Sequence, residues 1–228
     1  MKFIQSKYFS FVLLFLSSHV FSQSSECYGI SSDGFIKNSV QLPSEGDNYV
    51  IYHKFGSILG RNHVHSKVAS ILINSYEKIH QKHPDLVYKY AETGWKNGGN
   101  FKPHKTHQNG LSVDFMVPVR DEFNQSVQLP TTVSNKFGYA IEFNKKGEFK
   151  NYKIDYESMA LHIVELDKEA RLQGIKLKRV IFAPELRQHL FKTSQANYLN
   201  KNIVFMKNKA WVRHDEHYHI DFDIICKN

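Results

Sequence analysis

The sequence predicts a single α+β domain, and three observations point that way. Near the C-terminal end, Tyr218, Ile220, Phe222 and Ile224 alternate with His217, His219, Asp221 and Asp223, the period of a strand with one face on a core. Over 155–172, Met159, Ala160, Ile163, Leu166 and Ala170 recur at helical spacing, with Asp155 near the start and Gly174 just past the end. No internal repeat, low-complexity tract or linker interrupts the chain.

The other elements follow in order. Tyr49-Val50-Ile51-Tyr52 reads as a short strand. Residues 66–80 place Val68, Ala69, Leu72, Ile73, Tyr76 and Ile79 at helical spacing, with Ser66 as the expected cap. The stretch 86–91 alternates and predicts a strand, ended by the turn-rich run Gly94-Trp95-Lys96-Asn97-Gly98-Gly99-Asn100. Residues 112–119 predict a strand with Val113 and Phe115 on the core and Asp114 on the opposite, accessible face, while Gly110 supplies the turn that swings His107 over it. From about 121 to 152 the pattern is mixed and reads as a long insertion with a hairpin, a candidate substrate-binding flap. A strand over 178–182 and a short helix opened by Pro184 complete the set.

Lys2 and Lys7 precede the apolar stretch 8–16, and small residues follow at Ser17, Ser18 and Ser22. This is the layout of a secretory signal peptide, residues 1–22, leaving 23–228 as the mature domain. The apolar stretch falls short of the roughly 20 residues that span a bilayer, which argues against an anchor. The reading therefore expects an exported, periplasmic protein. The two cysteines, Cys27 and Cys226, either tie the two ends together in an oxidising compartment or stand as unrelated thiols. The net charge of +8 favours anionic partners such as cell-wall polymers or membrane surfaces. Nucleic acid is disfavoured, because the lysines are scattered and no aromatic-interleaved basic motif occurs.

Two short clusters carry the chemistry: His107-Gln108-Asn109-Gly110-Leu111-Ser112-Val113-Asp114 and His217-Tyr218-His219. Imidazole and carboxylate are natural ligands for zinc where thiolates are absent, and three of them leave one position open for water, the ligand count of a catalytic site. A histidine pair at i, i+2 on one strand face can address one ion, though alone it is also common on solvated strands. His104 and His214 stand three residues before His107 and His217; they either serve the site or are ordinary loop histidines. Asp221 shares the polar face with His219 and is either a hydrogen-bonding support for it or a solvated carboxylate.

At these residues the chain resembles the penicillin-insensitive murein endopeptidases. The likeness lies in Gly98-Gly99-Asn100-Phe101, in 104–114 and in His214-Asp215-Glu216-His217-Tyr218-His219; Leu42-Pro43, 178–190 and Trp211-Val212-Arg213 are similar too. The wider group of zinc peptidases shares a His-x6-Asp segment and a later His-x-His on a small central antiparallel sheet flanked by helices. The resemblance implies that His107, Asp114 and His219 bind one Zn2+, with His104 beside them as a further candidate. It implies that His217 is the catalytic histidine and that His214 lines the same site. Glu216 also creates the Glu-x-x-His pattern of related D,D-dipeptidases, in which the glutamate is the base. The implied activity is hydrolysis of peptidoglycan cross-links at the D-alanyl-diaminopimelyl bond, with peptide stems as partner. An L,D-endopeptidase, a D,D-carboxypeptidase or a non-catalytic wall-binding protein would fit the same residues. The oligomeric state has no signature in the sequence.

Overall fold

The computed structural model describes residues 24–208 and 210–228. The signal peptide expected over 1–22 lies outside the described residues.

A five-stranded sheet organises the structure. Its strands are β1 (Tyr49–Ile51), β2 (Tyr88–Tyr90), β3 (Ser112–Met116), β4 (Leu177–Ile181) and β5 (His217–Phe222), in the spatial order β4-β5-β3-β2-β1. Three of the four pairings are antiparallel; the edge pair β1–β2 is parallel. Parallel neighbours need a crossover, and the link between β1 and β2 contains helix α1 (Ser66–Lys82). Helix α2 (Tyr156–Leu172) packs against α1.

Both helices cover the apolar face of the sheet. Helix α1 buries Val68, Ile71, Leu72, Tyr76 and Ile79, and α2 buries Met159, Ala160, Ile163, Leu166 and Ala170. These meet Val113, Phe115, Tyr218, Ile220 and Phe222 in one core. The Asp155 carboxylate accepts from the Ser158 N–H at 3.0 Å and caps α2, a contact worth about 1 kcal/mol. The cap of α1 differs from expectation. His65 holds that position, its Nδ1 accepting from the Lys67 N–H at 3.1 Å, because the Ser66 N–H is taken by Ser25 Oγ at 2.9 Å.

The long predicted strand over 112–119 breaks after Met116. The chain resumes at Val119–Arg120 in a separate four-stranded sheet with Ser126–Val127, Glu148–Phe149 and Tyr152–Ile154. The insertion is thus a folded unit with its expected hairpin, and it buries Ile141 and Phe143. A second hairpin, Glu26–Ile30 with Asp33–Lys37, had no reading in the sequence. Cys27, in its first strand, is disulfide-bonded to Cys226.

Candidate metal centre

Asp114 on β3 and His219 on β5 are register partners across the middle of the sheet, on the face opposite the helices. His219 Nδ1 lies 2.8 Å from Asp114 Oδ1, and its Nε2–H donates to Asp221 Oδ1 at 2.9 Å. Asp221 also accepts from the Ser112 hydroxyl at 2.7 Å and from the Arg179 guanidinium, so the support anticipated for His219 is present and itself anchored. Burial disfavours charge on His219, yet Asp221 and Asp114 push its pKa up to about 10.

His107 arrives from the loop before β3. It adopts a left-handed backbone (φ 70), sparsely populated for a side chain of this size, and Gly110 follows in the same region (φ 75). A Cβ at Gly110 would sit 2.5 Å from Ile36 Cδ1 and 3.0 Å from the His65 nitrogen, so that turn admits only glycine. The His107 Nδ1–H donates to the Thr93 carbonyl at 3.0 Å, which turns Nε2 toward Asp114 Oδ1, 3.3 Å away. That Nε2 is buried and has no hydrogen-bond partner. Burial pushes the His107 pKa down despite Asp114, so the ring is a neutral imidazole with a free lone pair.

His104 completes a compact set, because one ligand atom each of His104, His107 and Asp114 lies within 4.8 Å of the others. Its Nδ1 is 3.6 Å from Asp114 Oδ2, and its Nε2–H donates to Glu92 Oε2 at 2.5 Å. Glu92 also accepts from Arg61 at 2.5 Å and from the Tyr52 hydroxyl at 2.7 Å. Burial opposes its charge, but hydrogen bonds from His104 and Arg61 hold it ionised, with a pKa of about 2.

His217 and His214 form the opposite side. His217 Nδ1 is 2.7 Å from Glu216 Oε1, leaving Nε2 3.9 Å from Asp114 Oδ2. Burial disfavours its charge, but Glu216 and Asp114 raise its pKa. The His214 Nδ1–H donates to the Val212 carbonyl at 3.0 Å; its ring lies 4.5 Å from that of His217, tilted by 41°, and burial lowers its pKa to about 4. All seven residues singled out in the sequence, His104, His107, Asp114, His214, Glu216, His217 and His219, therefore meet in one place.

The expected accessibility of Asp114 is corrected. It is 1% exposed and His107 is fully buried, because Ala91 and Glu92 flank Asp114 through backbone hydrogen bonds and the Tyr139 hydroxyl donates to Asp114 Oδ2 at 3.1 Å from above. The opening to solvent is a cleft of about 730 Å³, lined by His104, Glu92, Tyr139, His214, Glu216, His217 and His219. Exposed Trp211 flanks it, with Lys105 Nζ 5.3 Å from its ring.

Glu92 and Tyr139 were not singled out in the sequence. Glu92 had a faint signal, an acidic residue between a predicted strand and a glycine-rich turn. Tyr139 had none, because the insertion lacks a period that assigns its faces.

Imidazoles and a carboxylate converging without thiolates at the floor of a polar cleft suit a borderline divalent cation such as zinc, and the orphaned His107 Nε2 is the atom such a cation would satisfy. The site is thus one that could hold a metal ion. The family follows from direct comparison: the family model described as penicillin-insensitive murein endopeptidase matches residues 27–227, and the chain belongs to that family. No individually curated protein matches it.

Proposed function

We propose that this chain is an exported zinc metallopeptidase that cleaves D-alanyl-diaminopimelyl cross-links in peptidoglycan. One observation carries the metal reading: a buried, unpartnered His107 Nε2 aimed at a buried carboxylate, with the imidazoles of His104, His217 and His219 around the same carboxylate. His107, Asp114 and His219 would hold the ion. His104 stands beside them as a further ligand candidate, since Glu92 engages its Nε2 as Asp221 engages that of His219, the outer partner typical of a ligating imidazole. A divalent cation bound there would acidify a water and polarise the peptide carbonyl.

The rest of the chemistry falls to the chain. His217 turns Nε2 to the cleft, and Glu216 and Asp114 favour its protonated form, so that it can donate to the developing oxyanion or to the leaving amine. Glu216 fixes the ring through Nδ1, which favours it as an orienting group over a general base. His214, neutral and anchored at Val212, offers its remaining nitrogen to the substrate side. Tyr139 and Glu92 hold Asp114 and His104 and keep the floor dry.

Export rests on the charged and apolar N-terminal pattern and agrees with the Cys27–Cys226 disulfide, which belongs to an oxidising compartment. Among the described residues no helix is long and apolar enough to cross a membrane. Residues 23–228 would form one catalytic domain.

The test is mass spectrometry of purified cross-linked muropeptide dimers incubated with the mature protein, with zinc and with a chelator. Zinc-dependent conversion of dimers to monomers is expected. Release of free D-alanine with dimers intact would make the protein a carboxypeptidase, and unchanged dimers with folded, zinc-loaded protein would overturn the peptidase reading.

A further inference from the structure

A second concavity, a groove of about 1010 Å³, lies on the far side of the loop that carries His104. Its wall on one side is the hairpin Glu26–Ile30 and Asp33–Lys37, and on the other the segments around Asn100 and Gln108. Pro103, His104 and Lys105 line both this groove and the catalytic cleft, so the two depressions are separated only by the thickness of that loop.

The groove is firmly built. The Gly99 N–H donates to the Gly34 carbonyl at 3.1 Å, the Ile36 N–H to Asn97 at 3.1 Å and the Gln108 N–H to Ser31 at 3.0 Å, which ties the hairpin to the loops bearing His104 and His107. The disulfide anchors the same hairpin from behind. Its surface is of mixed chemistry. Tyr28 and Phe35 are cross-strand partners whose rings stack at 4.4 Å and 3°, and Phe35 is left 45% exposed with no element covering it. Around this aromatic pair stand Asp33, Asn100, Lys102 and Gln108, whose amide and charged groups line the groove.

We infer that this groove is a glycan subsite, holding the amino-sugar portion of the strand whose peptide stem enters the catalytic cleft. The inference rests on the peptidoglycan reading above. A pyranose ring offers apolar C–H faces to an aromatic surface, while its acetamido and hydroxyl groups call for amide and charged partners at the rim. The groove supplies both. Continuity selects this occupant: a stem of a few residues, at roughly 3.3–3.6 Å each, links sugar to scissile bond, and the shared loop sets the two depressions within such a reach.

The experiment compares wild type and Phe35→Ala on two substrates: cross-linked muropeptide dimers carrying their disaccharides, and the same cross-linked peptides freed of sugar. Phe35 is 45% exposed and outside the buried core, so the variant should fold. KM for the sugar-bearing dimer should rise about tenfold with kcat unchanged, while the sugar-free peptide is cleaved identically by both proteins. Equal effects on both substrates, or none on either, would overturn the subsite. Failure of wild type to cleave either substrate would instead count against the peptidase reading. The groove would then be judged by binding of peptide-stripped glycan strands, where weaker binding by Phe35→Ala supports it and no binding by wild type overturns it.

Discussion

Two buried histidines, His219 on β5 and His162 on α2 against the opposite face of that strand, show what turns burial into chemistry. His219 looks to the polar face and lies between Asp114 and Asp221, and its pKa is pushed up to about 10. On the other face Tyr218 points into the core and donates to His162 Nδ1 at 2.5 Å. His162 is equally buried, sits among the rings of Tyr76, Tyr88 and Phe115, and has no carboxylate partner; burial alone takes its pKa down to about 3. Both rings have lost water. Only the one beside carboxylates has neighbours that could join it in holding a cation.

The contrast breaks most completely if Asp114 is removed. Asp114→Ala should abolish zinc content, read by atomic emission, together with all detectable cleavage, since four imidazoles face that carboxylate. Full activity in this variant would mean that the centre lies elsewhere. Next in size, His217→Ala should lower kcat about 10²–10⁴-fold with zinc retained; loss of zinc instead would reassign His217 as a ligand.

Asp221→Asn keeps the shape but weakens the outer partner of His219, and zinc affinity should fall about 10–100-fold, measured by chelator competition. An unchanged affinity would reduce Asp221 to a fold-stabilising partner of Ser112 and Arg179. The smallest catalytic effect belongs to the core face: His162→Leu should leave kcat and zinc within about twofold, at a cost of about 1–3 kcal/mol for the unpaired Tyr218 hydroxyl. Its signature is acid stability. With a native pKa near 3 against 6.5 unfolded, the unfolded chain binds the extra proton between those values. The stability from His162 is therefore whole above pH 6.5 and lost as pH falls toward 3. Denaturant titrations at pH 7 and pH 4 should show the gap between wild type and variant narrowing in acid; a constant gap would refute the assignment.

The polar face of β5 was legible because alternation exposes which residues share a side, and the His-x6-Asp spacing matched what a turn and a strand can bring together. Helix α2 was legible for a similar reason, its cap and terminal glycine bracketing an apolar stripe. What escaped depends on distant partners. Burial of Asp114 comes from Glu92 and Tyr139, residues of other segments. The His65 cap depends on Ser25 claiming the next amide, and the parallel pairing of β1 with β2 appears only once the intervening helix is placed. Local pattern reports which face a side chain takes, and tertiary neighbours decide whether that face meets water.

Strand β5 lies between β3 and β4, yet follows both in the chain, and Asp114 and His219 are 105 residues apart. A polypeptide delivered N-terminus first thus carries His107 and Asp114 long before their counterpart exists, and β4 has no neighbour in the sheet until β5 slots in beside it. The cleft therefore has all the residues that line it only when the last strand is in place, and the order of synthesis puts its completion near the end of the chain.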